Sequence, residues 1–193
     1  LEAWFAHSPG LKVVMPSNAA DFKGLLKSAI RDNNPVLFFT DMTLGFNPGE
    51  VAEGEDALVP LGKAAIVRQG REVTLVSYAK TVHTCLQAAE ALATQGISAE
   101  VIDLRTLKPF DADTVIESVH KTGRLIVVHE AGPLCSMASE IAATVAERAF
   151  SALKAPVRRV TSPDVPTPAS YVLEQAFVPQ AGAVVEAVQS LLG

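Results

Sequence analysis

The polar side chains that follow apolar runs are the residues of this sequence best suited to chemistry. His129 and Glu130 close the apolar run at 125–128, and Asp103 and Arg105 follow the preceding predicted strand. Open parallel sheets bind ligands beyond the carboxyl ends of their strands, so an imidazole and a carboxylate there could act as acid and base. The alternative is structural: His129 caps its strand, and Asp103 forms a local ion pair with Arg105 that orders the loop. We interpret both pairs as structural.

The histidines and cysteines form no motif for a metal site or an activated nucleophile. The histidines are widely separated along the chain: His7, His83, His120 and His129. Because no HxH or HxxxH pair places two ligands on one element, we interpret them as structural. Cys85 and Cys135 lack CxxC spacing, and we expect both to be reduced, buried thiols. A nucleophilic Cys135 at the start of the following helix is the alternative.

Other function classes are excluded by missing motifs and by the distribution of charge. There is no GxGxxG, no GxxxxGK[ST] and no GxSxG, so the sequence lacks the phosphate cradles and the nucleophile elbow. Four of the five net negative charges arise in residues 46–61, which contain four acidic and no basic residues. No basic stripe for nucleic acid remains. Without an apolar run of about 18 residues or a signal sequence, we expect a soluble protein of a bacterial cytoplasm or an organelle matrix.

The first 45 residues predict a strand, a helix and a second strand. Residues 11–15 and 36–39 are apolar runs, and Pro35 ends the helix between them. A parallel unit of this size cannot bury both of its faces alone. We therefore interpret it as the remnant of a larger domain, with Trp4 and Phe5 in its core. The helix has one apolar face: Phe22, Leu25, Leu26, Ala29 and Ile30.

The remainder of the chain predicts a linker followed by an α/β domain. Residues 46–61 hold the acidic cluster Glu50, Glu53, Glu55 and Asp56 without apolar periodicity. From residue 62 onward, strand-like and helix-like segments alternate, which is typical of a three-layer domain with a mostly parallel sheet. Two strand-like runs flank residues 69–71, and this spacing predicts a hairpin at an antiparallel edge.

Five ordered motifs resemble the beta subunits of thiamine-diphosphate-dependent 2-oxo acid dehydrogenases. They run essentially from end to end of the chain: Pro9-Gly-Leu-Lys-Val-Val-Met-Pro16, Ala29-Ile-Arg-Asp-Asn-Asn-Pro35, Val101-Ile-Asp-Leu-Arg-Thr-Leu-Lys-Pro109, Gly123-Arg-Leu-Ile-Val-Val-His-Glu130 and Ala155-Pro-Val-Arg-Arg-Val160. The resemblance implies a truncated remnant of the pyrimidine-binding domain at 1–45, the acidic linker at 46–61 and a transketolase C-terminal-type domain at 62–193.

The resemblance assigns no catalytic and no cofactor-binding residue to this chain. The family's glutamate that contacts the aminopyrimidine, and its active-site histidine in a His-Ser-Gln stretch, correspond to positions before Leu1. Thiamine diphosphate and magnesium are therefore expected in the intact complex, where the alpha subunit holds the diphosphate through magnesium. We expect this chain alone to be inactive.

The resemblance does imply one metal site within the chain. Beta subunits of this family bind a structural monovalent cation, usually potassium, and the matching positions are Ala29, Ile30, Asp32 and Asn34. Helix-end carbonyls lack intrahelical partners and carry partial negative charge, which suits such an ion. A plain helix end before Pro35 is the alternative.

The family also implies partners. These are an alpha subunit, a second beta subunit and the peripheral subunit-binding domain of the acyltransferase core. Pyruvate, branched-chain 2-oxo acids and acetoin all remain open as substrates, although the Leu134-Cys-Ser-Met137 stretch favours the acetoin or pyruvate types. The alternative function is a non-catalytic oligomerisation module, and a weaker one is a small-molecule domain with a cleft near Glu130.

Overall fold

The computed structural model describes residues 1–52, 54 and 57–193. The helices are α1 (Glu2–His7), α2 (Ala19–Ile30), α3 (Thr81–Thr94), α4 (Ala112–Thr122), α5 (Met137–Ala149), α6 (Tyr171–Phe177) and α7 (Ala181–Leu192). The strands are β1 (Lys12–Val14), β2 (Val36–Phe38), β3 (Ala65–Arg68), β4 (Val73–Ser77), β5 (Ala99–Asp103), β6 (Thr106–Lys108), β7 (Leu125–His129) and β8 (Arg158–Thr161). Short 3-10 helices span Met42–Phe46 and Phe150–Ala152. Within the described part of the chain, no helix is long and apolar enough to span a membrane.

The chain divides into two compact units. The N-terminal unit contains residues 1–65, 78–80 and 103–111, and the C-terminal unit contains residues 66–77, 81–102 and 112–193. Two short segments that follow residue 65, 78–80 and 103–111, thus belong to the N-terminal unit. A boundary drawn at a single linker divides the sequence into two continuous stretches and therefore does not predict that these segments join the N-terminal unit. The predicted domain boundaries stay a prediction.

The N-terminal unit is built on a three-stranded sheet in the order β2-β1-β6. β1 and β2 are parallel, with Lys12 opposite Val36, and α2 connects them, which confirms the predicted strand-helix-strand unit. α2 begins where the Asn18 side chain accepts a hydrogen bond from the backbone N–H of Asp21, an ordinary N-cap. β6 pairs antiparallel with β1 and was not predicted from the sequence.

The described part of the 46–61 segment lies along α2. A Cβ at Gly24 would come within 2.5 Å of the Val59 side chain, and Ser28 Oγ donates to the Val59 carbonyl at 2.6 Å. Lys23 Nζ donates to the carbonyl of Ala52 at 2.7 Å. This part of the predicted linker is therefore ordered against the helix. Of the acidic cluster, Glu53, Glu55 and Asp56 lie outside the described residues.

The C-terminal unit has a five-stranded sheet in the order β3-β5-β4-β7-β8. β7 is parallel to both β4 and β8. Alternate residues face opposite sides: Leu75 and Ile126 join the apolar cluster with α3 and α7, while Thr74 Oγ1 bonds Ser118 Oγ of α4 at 2.6 Å. The predicted three-layer α/β architecture with a mostly parallel sheet is confirmed.

The predicted hairpin between β3 and β4 is wrong. β3 lies at the edge of the sheet but neighbours β5, because residues 69–72 cross the start of β5. The backbone N–H groups of Arg71 and Glu72 both donate to the Ser98 carbonyl, at 3.1 and 2.9 Å. A Cβ at Gly70 would lie 2.1 Å from the carbonyl carbon of Ala99. The glycine thus marks a close backbone crossing rather than a two-strand turn.

The prediction that Trp4 belongs to the core is also wrong. Its side chain is 75% exposed, whereas Phe5 is half-buried and packs on Phe39 with ring centroids 5.6 Å apart. Successive residues of a helix point about 100° apart, so on the six-residue α1 only one of these two rings faces the sheet.

Candidate functional site

The predicted cation residues lie together at the end of α2 and in the loop that leads to β2. The backbone N–H of Arg31 donates to the Lys27 carbonyl at 3.3 Å, and that of Asp32 donates to the Ala29 carbonyl at 3.3 Å. The helix therefore ends through Arg31, and the loop of residues 31–34 turns into the strand. Ile30 is 75% exposed at this end. The structure places Ala29 and Ile30 in the last turn of α2 and Asp32 and Asn34 in the loop that follows, and whether they bind a cation stays a prediction.

The carboxylate of Asp32 is held by other residues of the chain. Lys12 Nζ donates to Asp32 Oδ2 at 2.5 Å. Asp32 Oδ1 accepts from the backbone N–H and from the side-chain amide of Asn34, at 2.8 and 3.0 Å. These hydrogen bonds, that from Lys12 foremost, lower the pKa of Asp32 to about 2. The carboxylate is thus ionised and engaged on both oxygens.

The donors that fit a cation in this loop are backbone carbonyl oxygens. Rings of carbonyl oxygens replace the hydration shell of potassium in other proteins, and the last carbonyls of a helix lack helical partners. The Lys12 ammonium beside Asp32 shows that the loop accommodates a positive charge. No group of three or more His, Cys, Asp or Glu suited to a metal ion occurs in residues 1–52, 54 and 57–193.

A second polar cluster of the N-terminal unit surrounds the end of β5. Asp103 is fully buried and accepts from Ser17 Oγ at 2.5 Å and from the backbone N–H of Arg105 at 2.9 Å. Burial raises the pKa of Asp103 to about 6, although both hydrogen bonds act in the opposite direction. Arg105 has φ +60 and sends its guanidinium to Asp21, with contacts of 2.9 and 3.0 Å.

The prediction that the side chains of Asp103 and Arg105 form a local ion pair is therefore wrong. Asp103 is bonded by a hydroxyl and a backbone N–H, and the guanidinium of Arg105 pairs with the nearly buried carboxylate of Asp21. The partner lies 84 residues away in the sequence, so no local pattern indicates it. The structural interpretation of these residues agrees with the geometry, since each polar group has a partner within the cluster.

Two further contacts fix α1 and were not predicted. Tyr78 Oη donates to the buried Glu2 carboxylate at 2.8 Å. At the other end of α1, Lys108 Nζ donates to the carbonyls of Ala6 and Ser8 at 2.6 and 2.9 Å. A cation at helix-end carbonyls is favourable. These pairs join residues 76 and about 100 positions apart, and a single sequence carries no signal for them.

In the C-terminal unit, His129 and the cysteines have distinct surroundings. His129 is fully buried at the end of β7, and its Nδ1 accepts from the backbone N–H of Ala131 at 3.2 Å. This bond supports the strand-end interpretation of His129. Cys85 is buried as predicted, but Cys135 is exposed with φ +46. The prediction of a buried Cys135 is wrong, because the residue lies in the turn before α5 rather than on the helix.

One cavity of about 430 Å³ lies in the N-terminal unit. It is found beyond the carboxyl ends of β1 and β2, and Asp41, whose Oδ1 accepts from the backbone and the hydroxyl of Thr43, is the charged residue in its lining. None of the residues predicted from the sequence to bind a ligand lines it. The lining consists of Pro16, Asn18, Ala19, Phe22, Thr40, Asp41, Met42, Leu44, Gly45 and Asn47.

Two family models match the chain. The transketolase C-terminal domain matches residues 62–184, and the transketolase pyrimidine binding domain matches residues 1–45. The first match covers more than half of the chain. The order of the two domains is the order that the five motifs imply.

Similar proteins match nearly the whole chain. An acetoin:2,6-dichlorophenolindophenol oxidoreductase subunit beta of Cupriavidus necator is 50% identical over 188 residues, 97% of this chain and 55% of that protein. A pyruvate dehydrogenase E1 component subunit beta of Rhizobium meliloti is 48% identical over 98% of this chain and 41% of that protein. The chain thus spans about half the length of the curated relatives it matches. These matches confirm the resemblance read from the motifs.

A solved structure supports the fold. A split gene transketolase, described as an inactive beta4 tetramer, aligns with a TM-score of 0.82 and 27% identity, covering 99% of this chain and 60% of that chain. The alignment includes both units of the present structure. The chain belongs to the transketolase C-terminal domain family and carries, before that domain, a segment of the transketolase pyrimidine binding domain.

Proposed function

We propose that this chain is the C-terminal part of the beta subunit of a thiamine-diphosphate-dependent 2-oxo acid dehydrogenase. The observation that carries the proposal is the identity of 48–50% to acetoin and pyruvate dehydrogenase beta subunits across 97–98% of the chain. Two ordered family domains support it. The substrate of the whole protein is, on this basis, a 2-oxo acid or acetoin.

The chain's own contribution is to assembly rather than to bond cleavage. Its buried carboxylates are engaged by neighbouring side chains: Asp21 by Arg105, Glu2 by Tyr78, and Glu100 by Lys121 and Ser118. Asp103, whose pKa is raised, is hydrogen-bonded to Ser17 within a packed cluster. Carboxylates satisfied in this way hold elements together, whereas a general base needs an oxygen that faces the substrate.

Turnover by the purified chain is the test of this proposal. The chain is incubated with thiamine diphosphate, magnesium, an artificial electron acceptor and either pyruvate or acetoin, and reduction of the acceptor is followed. We expect no reduction above the rate without protein. Turnover by the chain alone would overturn the proposal of a non-catalytic part. The complete beta subunit mixed with its alpha subunit is the positive control.

The partners that we propose are an alpha subunit, a second beta subunit and the subunit-binding domain of the acyltransferase core. Exposed apolar side chains support a protein surface on α6, where Tyr171, Val172 and Leu173 are 73%, 75% and 58% exposed. None of the residues of α6 is buried in the chain itself. Contiguous exposed apolar residues mark interaction sites.

Self-association of the chain is supported by the similar split gene transketolase, which is a beta4 tetramer, and α6 is an exposed apolar surface that such an association could bury. We therefore assign α6 to contact with a second beta subunit. In sedimentation velocity, we expect the chain to form dimers or tetramers at micromolar concentration and Val172→Asp to shift them toward monomers. Glu174→Gln, on the same exposed helix, is the matched control. Equal association of all three proteins would contradict the assignment.

We propose that the loop after α2 binds a structural potassium ion through carbonyl oxygens of Ala29, Ile30, Asp32 and Asn34. The engagement of the Asp32 carboxylate by Lys12 and Asn34 supports neutral oxygens as the ligands. Potassium chloride should raise the thermal midpoint of the chain more than choline chloride at equal ionic strength, because binding to the native state stabilises it. Equal midpoints in the two salts would refute the site.

A further inference from the structure

The ammonium group of Lys12 lies in the same loop as the proposed cation ligands. Its Nζ is 2.5 Å from Asp32 Oδ2, and the two side chains are only 27% and 16% exposed. The backbone N–H of Lys12 also donates to the Pro35 carbonyl at 3.0 Å, so β1 borders the loop on this side. Lys12 is thus held against the loop by its backbone N–H as well as by its side-chain ammonium.

The partners of Asp32 leave its carboxylate poorly placed to bind a second cation. Oδ2 accepts from Lys12, and Oδ1 accepts two hydrogen bonds from Asn34. Both oxygens of this carboxylate are therefore already hydrogen-bonded when a cation enters the loop. The other nearby cations are bound elsewhere, since Arg31 Nη1 donates to the Lys27 carbonyl and Lys27 Nζ to the Gly54 carbonyl.

The charges of the loop then decide which ions it accepts. Lys12 and Asp32 contribute +1 and −1, so the pair adds no net charge to the site. Calcium and magnesium require carboxylate oxygens to compensate for the loss of their hydration shells. Potassium is held by neutral carbonyl oxygens. A neutral pair beside a set of carbonyls consequently favours a monovalent ion.

We propose that Lys12 determines the charge selectivity of this loop by neutralising Asp32, so that the loop accepts monovalent cations and rejects divalent ones. The inference rests on the proposed cation site. Removal of the ammonium leaves the negative charge of Asp32 without its cationic partner and releases Oδ2, while Oδ1 keeps its hydrogen bonds from Asn34. Calcium binding should then strengthen about thirtyfold, the factor given by a divalent ion about 4 Å from a unit negative charge in water.

Calcium and potassium titrations of the 193-residue chain test the proposal. Lys12→Met should bind calcium about thirtyfold more tightly than the wild type in calorimetry, and Lys12→Met with Asp32→Asn should lose that gain. Lys23→Met is the matched control, because Lys23 donates to the Ala52 carbonyl, which lies outside the loop. Circular dichroism verifies that each variant is folded. A folded Lys12→Met chain with wild-type calcium affinity would overturn the proposal.

Asp32→Asn alone tests the same electrostatics without removing the lysine. It leaves the ammonium of Lys12 unbalanced, so potassium affinity, measured from the rise in thermal midpoint, should fall about fivefold, the effect of one unit charge at about 4 Å in water. Unchanged potassium affinity would contradict the role of the pair. A wild-type chain that responds equally to potassium and choline would instead refute the cation site itself, and these two failures are distinguishable.

Discussion

The buried carboxyl group of Asp103 makes the folding stability of this chain depend on pH in a direction that can be worked out. Asp103 is fully buried, and burial raises its pKa to about 6 from the ordinary value of 3.8. Between these two values, the folded chain retains a proton at this group that the unfolded chain has already released. The unfolded state therefore binds fewer protons, and the free energy of unfolding falls as pH rises.

The size of the effect follows from the difference between the two pKa values. A difference of roughly two units at about 1.4 kcal/mol per unit gives about 3 kcal/mol. The contribution of Asp103 to stability is greatest below about pH 4 and is lost as pH rises through about 6. In Asp103→Asn the group no longer titrates, so this component of the pH dependence should disappear. The carboxamide still occupies the same volume beside Ser17.

Urea unfolding of the wild type and of Asp103→Asn at several pH values between 4 and 7.5 measures this component. The wild type should lose about 2.5 kcal/mol relative to the variant across that range, because the unfolded group is already partly ionised at pH 4. Asp113→Asn removes a carboxylate that is 73% exposed and serves as the control, with a pH dependence parallel to that of the wild type. Parallel curves for the wild type and Asp103→Asn would refute the buried, protonated carboxyl group.

Three further changes test packing, charge and exposure. Gly70→Ala should lower the free energy of unfolding, measured with urea, by about 3 kcal/mol, because its Cβ would meet the Ala99 backbone. Gly182→Ala, with open space around it, should cost nothing. Equal effects of the two substitutions would refute the backbone crossing. Arg105→Ala should lower the free energy of unfolding by about 3 kcal/mol, because it leaves the buried carboxylate of Asp21 without its ion-pair partner. Arg148→Ala, which breaks an exposed ion pair, should lower it by less than about 0.5 kcal/mol. A similar loss for both variants would count against the buried pair. A maleimide should label Cys135 in the native chain and Cys85 only after unfolding, as peptide masses can report, and equal native labelling would contradict their placement.

Local periodicity was sufficient to predict the main elements of the C-terminal unit. The predicted strands 99–103 and 125–129 coincide with β5 and β7, and the predicted helix face with Cys85 and Leu92 is buried on α3. These segments are long, and burial on one or two faces leaves a clear apolar pattern in the sequence. Gly96, which follows α3, has φ +79, and this is the left-handed conformation that a glycine just past a helix end predicts.

The errors concern features that are decided by residues far apart in sequence. β6 has only three residues and pairs with β1, which lies more than ninety residues earlier. The partner of Arg105 is Asp21, and β3 pairs with β5 because the chain passes over Gly70. The amino-acid composition around these residues would be the same whether or not they formed these distant contacts. The four residues predicted to bind a cation come from the resemblance to a family, whereas the ion pair of Lys12 with Asp32 required the structure.

The most direct measurement of the central claim is sedimentation of the chain with an alpha subunit of a 2-oxo acid dehydrogenase. If the chain is the assembly part of a beta subunit, the mixture should contain a complex heavier than either protein alone, and this complex should still show no turnover of pyruvate or acetoin with thiamine diphosphate and magnesium. Independent sedimentation of the two proteins, or turnover by the chain without the rest of a beta subunit, would contradict the account.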